Sequence, residues 1–233
     1  MSTGKAVGGL VALTLVLGGG LVAADRYAAS SAQDYARDSV NSQLKVKGDT
    51  HVDVHGFPFL TQLIRGTLDE VTVTVPGATV GGLQISDIDV DARDIKVDAF
   101  TTDRHPVAGQ MMLHATMPIS SLQAAVKKQS NLDVALAVKG SALQATGNVL
   151  GLTLEASVTP RVEAGKLLVG VSDVTLGGRS VSTDTFPVVH DALSGITVPI
   201  QSLPAGVSLT GAQVVPTGVR VTASGTNVAL PAS

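Results

Sequence analysis

The sequence predicts an α+β fold in which antiparallel strands outnumber a few helices, and three observations carry that prediction. From Asp49 onward, apolar residues recur at every second position and seldom leave that period, as half-buried strands require. Two stretches, after Asp25 and after Ile119, repeat instead at spacings of three and four. Strands and helices do not alternate one for one, which argues against a doubly wound parallel sheet.

The chain of 233 residues opens on a segment unlike the rest. Lys5 precedes Ala6 to Ala24, a run without a single charge that holds Leu13-Thr14-Leu15-Val16-Leu17 and a Gly18-Gly19-Gly20 break. A spanning helix needs about 20 apolar residues and the apolar part of a signal peptide about 7–15, so this run lies between the two. Val22-Ala23-Ala24 before Asp25 suits a signal peptidase, and the only positive charge lies on the N-terminal side. Both readings export the rest of the chain. Residues 1–24 are therefore expected to be a signal peptide or an N-terminal membrane anchor. Residues 25–233 are expected to form one domain, because no Pro/Ser-rich linker or charge block divides them.

From Asp25 to about Gln43, Tyr27/Ala28, Ala32, Tyr35/Ala36, Val40 and Leu44 mark one apolar stripe of a helix. His51 to Val54 alternates, as do Val71, Val73 and Val75. Leu83/Ile85, Ile88/Val90 and Ile95/Val97/Ala99 alternate in three runs separated by phase slips, which predict bulges or bends in long strands. Met111, Leu113, Ala115 and Met117 extend the pattern. A helix is predicted over Ile119 to Gln129, with Ser120 and Gln123 spaced as a capping box, Leu122 and Val126 facing inward, and Lys127 and Lys128 near its C-terminal end. Strands return at Leu132 to Val138 and Leu150 to Val158. Glu163-Ala164-Gly165-Lys166 reads as a hairpin turn before Leu167 to Leu176. A short helix is expected from about Phe186 to Leu193, and Pro216-Thr217-Gly218 turns into Val219, Val221 and Ala223.

Composition excludes several kinds of function. The absence of cysteine excludes disulfides, thiolate metal sites and cysteine nucleophiles. A formal charge of -3, without basic runs among aromatics, argues against a nucleic-acid partner. Apolar residues make up 44% and aromatics only 3%, so the interior must be aliphatic. No Gly-x-Ser-x-Gly elbow, P-loop, dinucleotide fingerprint or His-Glu-x-x-His occurs. His105, His114 and His190 stand apart, and His190-Asp191 has no identifiable nucleophile. No enzymatic activity and no cofactor is expected.

Two constellations could in principle hold a cation. Asp49, His51, Asp53 and His55 fall on one face of a strand, where imidazoles and carboxylates suit zinc. Val52 and Val54 on the opposite face make a wet outer surface the preferred reading, and no metal is expected. Asp87, Asp89, Asp91 and Asp98 match positions of a calcium loop, but Ala92 replaces its turn glycine and Ile88 and Val90 impose a strand period. A solvated strand face is again preferred.

The segment His55-Gly56-Phe57-Pro58-Phe59-Leu60-Thr61-Gln62-Leu63-Ile64-Arg65-Gly66 gathers two of the four phenylalanines around a proline before an apolar turn or short helix. It reads either as a plug closing one end of the sheet or as a lip touching membrane or gating lipid. Together with the N-terminal apolar run and the helix after it, Gly56 to Leu63 continuing to Leu68-Asp69-Glu70-Val71, and Val198-Pro199-Ile200-Gln201-Ser202-Leu203-Pro204-Ala205-Gly206-Val207 continuing to Gly218 to Gly225, resemble the LmeA-like phospholipid-binding proteins of the actinobacterial cell envelope. The resemblance spans nearly the whole chain and is weakest from about Thr101 to Ser182.

The resemblance implies non-enzymatic phospholipid binding outside the cytoplasmic membrane, in the cell envelope or periplasmic space. It also implies a tubular lipid-binding architecture, a long curved antiparallel sheet wrapped around a helix. An apolar wall would shield acyl chains, and its candidate residues are Tyr27, Tyr35, Phe57, Phe59, Leu60, Leu63, Val71, Val73, Leu152 and Leu154, with Val75 and Leu150 on the same strands. Arg65 is a candidate for the headgroup. The expected partners are phospholipid and the membrane surface. The rival reading is an envelope scaffold that binds protein through an exposed strand edge.

Overall fold

The computed structural model describes residues 3–43, 45–80, 82–97, 106–130, 133–149, 151–181 and 203–230. Helix α1 (Thr3–Gln43) leads into two short strands, β1 (Lys45–Lys47) and β2 (His51–His55), and then helix α2 (Phe59–Arg65). Three long strands come next, β3 (Thr67–Val80), β4 (Leu83–Lys96) and β5 (Val107–Pro118), before helix α3 (Ile119–Ser130). A second group comprises β6 (Ala135–Lys139), β7 (Ala142–Val149), β8 (Leu152–Glu163), β9 (Lys166–Leu176) and β10 (Arg179–Ser180). Strands β11 (Val207–Val215) and β12 (Gly218–Ala229) complete the described chain. The predicted α+β class holds, with antiparallel sheet predominating.

The strands form two sheets. The larger runs β1-β3-β4-β5-β12-β11 with β2 also on β3, and the smaller runs β10-β9-β8-β7-β6. Alternation divides each sheet into unlike faces. In the larger, Val73, Val90, Leu113 and Ala223 lie opposite one another across four strands, so the inner face is a continuous aliphatic surface. One residue along, Thr72, Asp91, Met112, Ser224 and Ser208 form the corresponding row of the outer face. Strand β11 packs against β8 and β9, which joins the sheets. Helix α3 touches β4, β5, β6 and β12, so it is the helix held between them.

Bulges supply the curvature that the phase slips predict. What reads as separate runs from Leu83 to Ile95 is one strand carrying Asp87 and Asp94 at φ 48° and 51°, with Val97 just beyond its end, and pairing with β5 shifts between Ser86 and Asp89. Asp173 in β9 and Asn227 in β12 also adopt positive φ. Asp and Asn tolerate this left-handed region better than other side chains, so each bends its strand at little cost. Ala164 and Gly165, both at positive φ, close the hairpin predicted at Glu163 to Lys166.

Three expectations change. The helix predicted from Asp25 is part of α1, which begins at Thr3 and runs through Gly18-Gly19-Gly20, since no proline interrupts it. The capping-box partner Gln123 instead donates from Nε2 to the Val134 carbonyl at 3.5 Å, tying α3 to the approach of β6. Strand β6 starts at Ala135 rather than Leu132. Leu132, Leu150, Ala99, Asp98, His105, His190 and the helix expected near Phe186 to Leu193 lie outside the described residues. Among the described residues, no helix is long and apolar enough to cross a membrane.

Candidate functional site: an apolar interior and its lip

The space between α3 and the two sheets is a cavity of about 70 Å³. Leu122, Ala125 and Val126 of α3 form one wall. Leu136, Leu143, Ala145, Val158, Pro160, Leu167 and Val169 of the smaller sheet form another, with Val134 beside them, and Met117 and Val219 of the larger sheet close it. The lining is almost wholly apolar, so it can receive hydrocarbon and offers a polar group almost no partner. One water needs about 10–15 Å³ of such space, so the cavity as it stands holds only a short piece of acyl chain.

One wall is lightly held. Leu122, Ala125 and Val126 are only partly buried, although they are the inner face of α3. Its polar ties include the Ile119 N–H to the Thr217 carbonyl at 3.2 Å at its first residue, the long Gln123 bond, and an ion pair of Lys127 with Asp133 at 3.1 Å, both partners exposed. Exposed pairs contribute about 0–1 kcal/mol. The opposite wall is fixed by sheet hydrogen bonds and by the buried Leu143, Ala145, Val158 and Leu167. Displacement of the part of α3 that follows Ile119 would enlarge the cavity without breaking a sheet hydrogen bond.

The Phe57–Phe59 segment divides the plug and lip readings between its two rings. Phe59 is 5% exposed, whereas Phe57 is 54% exposed beside a cis Phe57–Pro58 peptide bond. The Arg26 guanidinium lies 5.1 Å from the centre of the Phe57 ring, a cation–π distance. Asp25 of α1 is buried, and its Oδ1 accepts the Leu60 backbone N–H at 2.7 Å. Pro58 has no side chain able to cap α2, so Asp25 supplies that acceptor from another helix. Buried Gln62 completes the brace: its Nε2 donates to the His55 carbonyl at 3.2 Å and its Oε1 accepts the Asp69 N–H at 2.8 Å. Gly56, at φ 95°, is required here because a Cβ would strike the Gln62 amide.

The predicted site residues fall into separate places, and none of the ten lines the cavity. Val71 and Val73 are half-buried on the inner face of the larger sheet and pack on its core. Val75, on the same strand, is fully buried. Leu60 and Leu63 are half-buried on α2. Leu154 packs with Val126 around Ala156 and Val174, while Leu152 is exposed at the head of β8. Tyr27 and Tyr35 are 78% and 62% exposed. The neighbouring Ala28 and Ala36 are half-buried and Ala29 is buried, so small side chains rather than the tyrosines are the ones α1 covers. The exposed Arg65 lies in the last turn of α2.

The cavity residues that went unassigned belong to β6 to β9. Their signal is the alternation of Leu136, Leu143 to Ala145, Val158 to Pro160 and Leu167 to Val169, which also describes an ordinary core. Partial burial of the facing helix distinguishes the two, and sequence does not show it.

The preferred reading of the aspartates and histidines agrees with their placement. His51, Asp53 and His55 are exposed on β2, and His55 Nε2 lies 2.9 Å from Thr72 Oγ1. On the same outer face, Arg93 pairs with Asp91 at 3.0 Å and Glu70 at 3.2 Å. The hydrogen bond to Glu70, then the charges of Asp91 and Glu70, hold the guanidinium above its usual pKa. A concavity of about 440 Å³ lies beside this group, lined by Gln110, Met112, Ser224 and Thr226 among others. It is larger than the interior cavity, but half of its lining is polar and it opens to solvent, so it cannot shield a lipid tail.

With an apolar interior enclosed by two curved sheets, the family comparison becomes decisive. The model of LmeA-like phospholipid-binding proteins matches residues 23–224. The chain belongs to this family. No curated protein and no solved structure matches it. In this LmeA-like chain the match takes in the lip, α3 and both sheets up to the middle of β12.

Proposed function

We propose that this LmeA-like protein is a non-enzymatic carrier or sensor of phospholipid that acts outside the cytoplasmic membrane, in assembly or upkeep of the cell envelope. The family match supports phospholipid as the ligand, and the observation that carries the mechanism is the apolar cavity under the partly buried inner face of α3. A tail of roughly sixteen methylenes, at about 0.8 kcal/mol each, needs about 13 kcal/mol of shielding to leave a bilayer. A 70 Å³ space cannot supply this, so binding requires α3 to swing outward and expose the aliphatic inner faces. Val71 and Val73 share the aliphatic core with the cavity walls, and in this reading the exposed Phe57 with the half-buried Leu60 and Leu63 serves as the entrance, above the buried Phe59. Residues 1–24 direct export, as signal peptide or anchor.

The proposal is tested by purifying the full chain from a bacterial host and extracting its lipid for mass spectrometry. Stoichiometric phospholipid, reduced when Val169 or Leu136 is replaced by aspartate in a folded protein, supports it. A folded wild type that carries no phospholipid and takes none from vesicles contradicts it and favours a scaffold acting through a strand edge.

A further inference from the structure

The lip is built onto the end of the apolar N-terminal run. The charge-free stretch closes at Ala24, and the next residue, Asp25, holds the backbone of α2. At 1.5 Å per residue, Leu21 and Asp25 are about 6 Å apart along α1. Leu21 and Val22 are exposed, and Arg26 lies over the exposed Phe57. Ile64, 73% exposed, extends the apolar surface along α2, and the exposed Arg65 sits next to it in the chain. Large apolar side chains gathered at one end of a protein, bordered by arginines, have the composition of a surface that lies in the headgroup region of a bilayer.

We propose that Phe57 and Ile64 seat in the surface of an anionic phospholipid bilayer, and that the Asp25–Leu60 hydrogen bond fixes α2 to the apolar end of α1 so that they enter it together. The occupant is a bilayer rather than a protein because the patch continues directly from the charge-free run of α1, and Arg26 and Arg65 complement anionic headgroups. This deepens the phospholipid reading by placing the lip at the membrane from which lipid is taken. Its test reads the depth of the lip and does not depend on whether lipid is bound inside.

The chain has no cysteine, so single thiols can be introduced for labelling. The full chain is reconstituted into phosphatidylcholine–phosphatidylglycerol vesicles with an environment-sensitive fluorophore at Ile64→Cys, Thr61→Cys, Val22→Cys or, on the outer face, Asp53→Cys. A lipid nitroxide near the headgroups is the quencher. Quenching at 64 and 61 several-fold above that at 53 is the expected result, and quenching at 64 equal to that at 53 overturns the proposal, as does an apolar shift without quenching, which indicates a protein or a second copy on the patch. In the Asp25→Ala background, quenching is expected to fall at 64 and persist at 22, while Asp25→Asn, which retains an acceptor, keeps both. Unchanged quenching at 64 in a folded Asp25→Ala protein overturns the coupling. Bound lipid measured on the same samples separates these results from failure of the carrier reading.

Discussion

Asp25 and Leu60 are 35 positions apart, yet the Asp25 carboxylate accepts the Leu60 backbone N–H at 2.7 Å and stands in for the N-cap that Pro58 cannot provide. One side chain of α1 thereby sets the position of α2. Loss of a helix cap costs about 0.5–2 kcal/mol. Asp25→Ala is expected to lower the melting temperature by a few degrees, at about 2–4 °C per kcal/mol for a chain of this size, with Asp25→Asn between it and wild type. Thermal unfolding followed by circular dichroism checks the order.

Gly56 and Gly82 are both at positive φ, 95° and 84°, but only Gly56 is crowded, by Gln62 and Asp69. Gly82→Ala is expected to cost about 1 kcal/mol from backbone strain alone. Gly56→Ala adds the clash and loosens the Gln62 brace, so its loss is expected to exceed that of Gly82→Ala by about 1–3 kcal/mol. Denaturant titration of the two variants gives the difference directly.

Ala125 faces the cavity from α3. Replacing it with leucine fills part of the 70 Å³ with aliphatic atoms, which is expected to leave stability unchanged or raise it by about 1 kcal/mol. Phospholipid retained on purification is expected to fall. Coupled loss of stability and lipid would mean instead that the residue only packs the core.

The Arg93 group stands on the outer face, exposed beside Asp91 and Glu70. Arg93→Ala is expected to leave both the melting temperature and lipid loading unaltered. A loss of lipid in this variant would move the ligand to the outer concavity.

Much of this was legible in the sequence because strand period and burial are the same fact seen twice. Val71/Val73/Val75 and Met111/Leu113/Ala115 face the interior as their alternation requires, and the phase slips around Asp87 and Asp94 mark real bulges. The site was less legible. Tyr27 and Tyr35 lie beside the helix stripe, and a stripe 100° wide does not say which of two adjacent residues turns inward. Phe57 and Phe59 occupy one motif but opposite environments, decided by how α2 is braced from Asp25 and Gln62. Such long-range hydrogen bonds leave no periodic trace. The assignment of β6 to β9 to a separate sheet likewise depends on pairings between strands that alternation alone does not choose.

The central claim is that an acyl chain lies between α3 and the smaller sheet. Photo-crosslinking tests it most directly, using a phospholipid with a diazirine at the end of its tail, delivered to the full-length protein from vesicles and mapped by peptide mass spectrometry. The account predicts crosslinks on Leu122 to Val126, Leu136 and Val169, diminished in Ala125→Leu. Crosslinks confined to the outer face around Met112, or none in a folded protein, would contradict it.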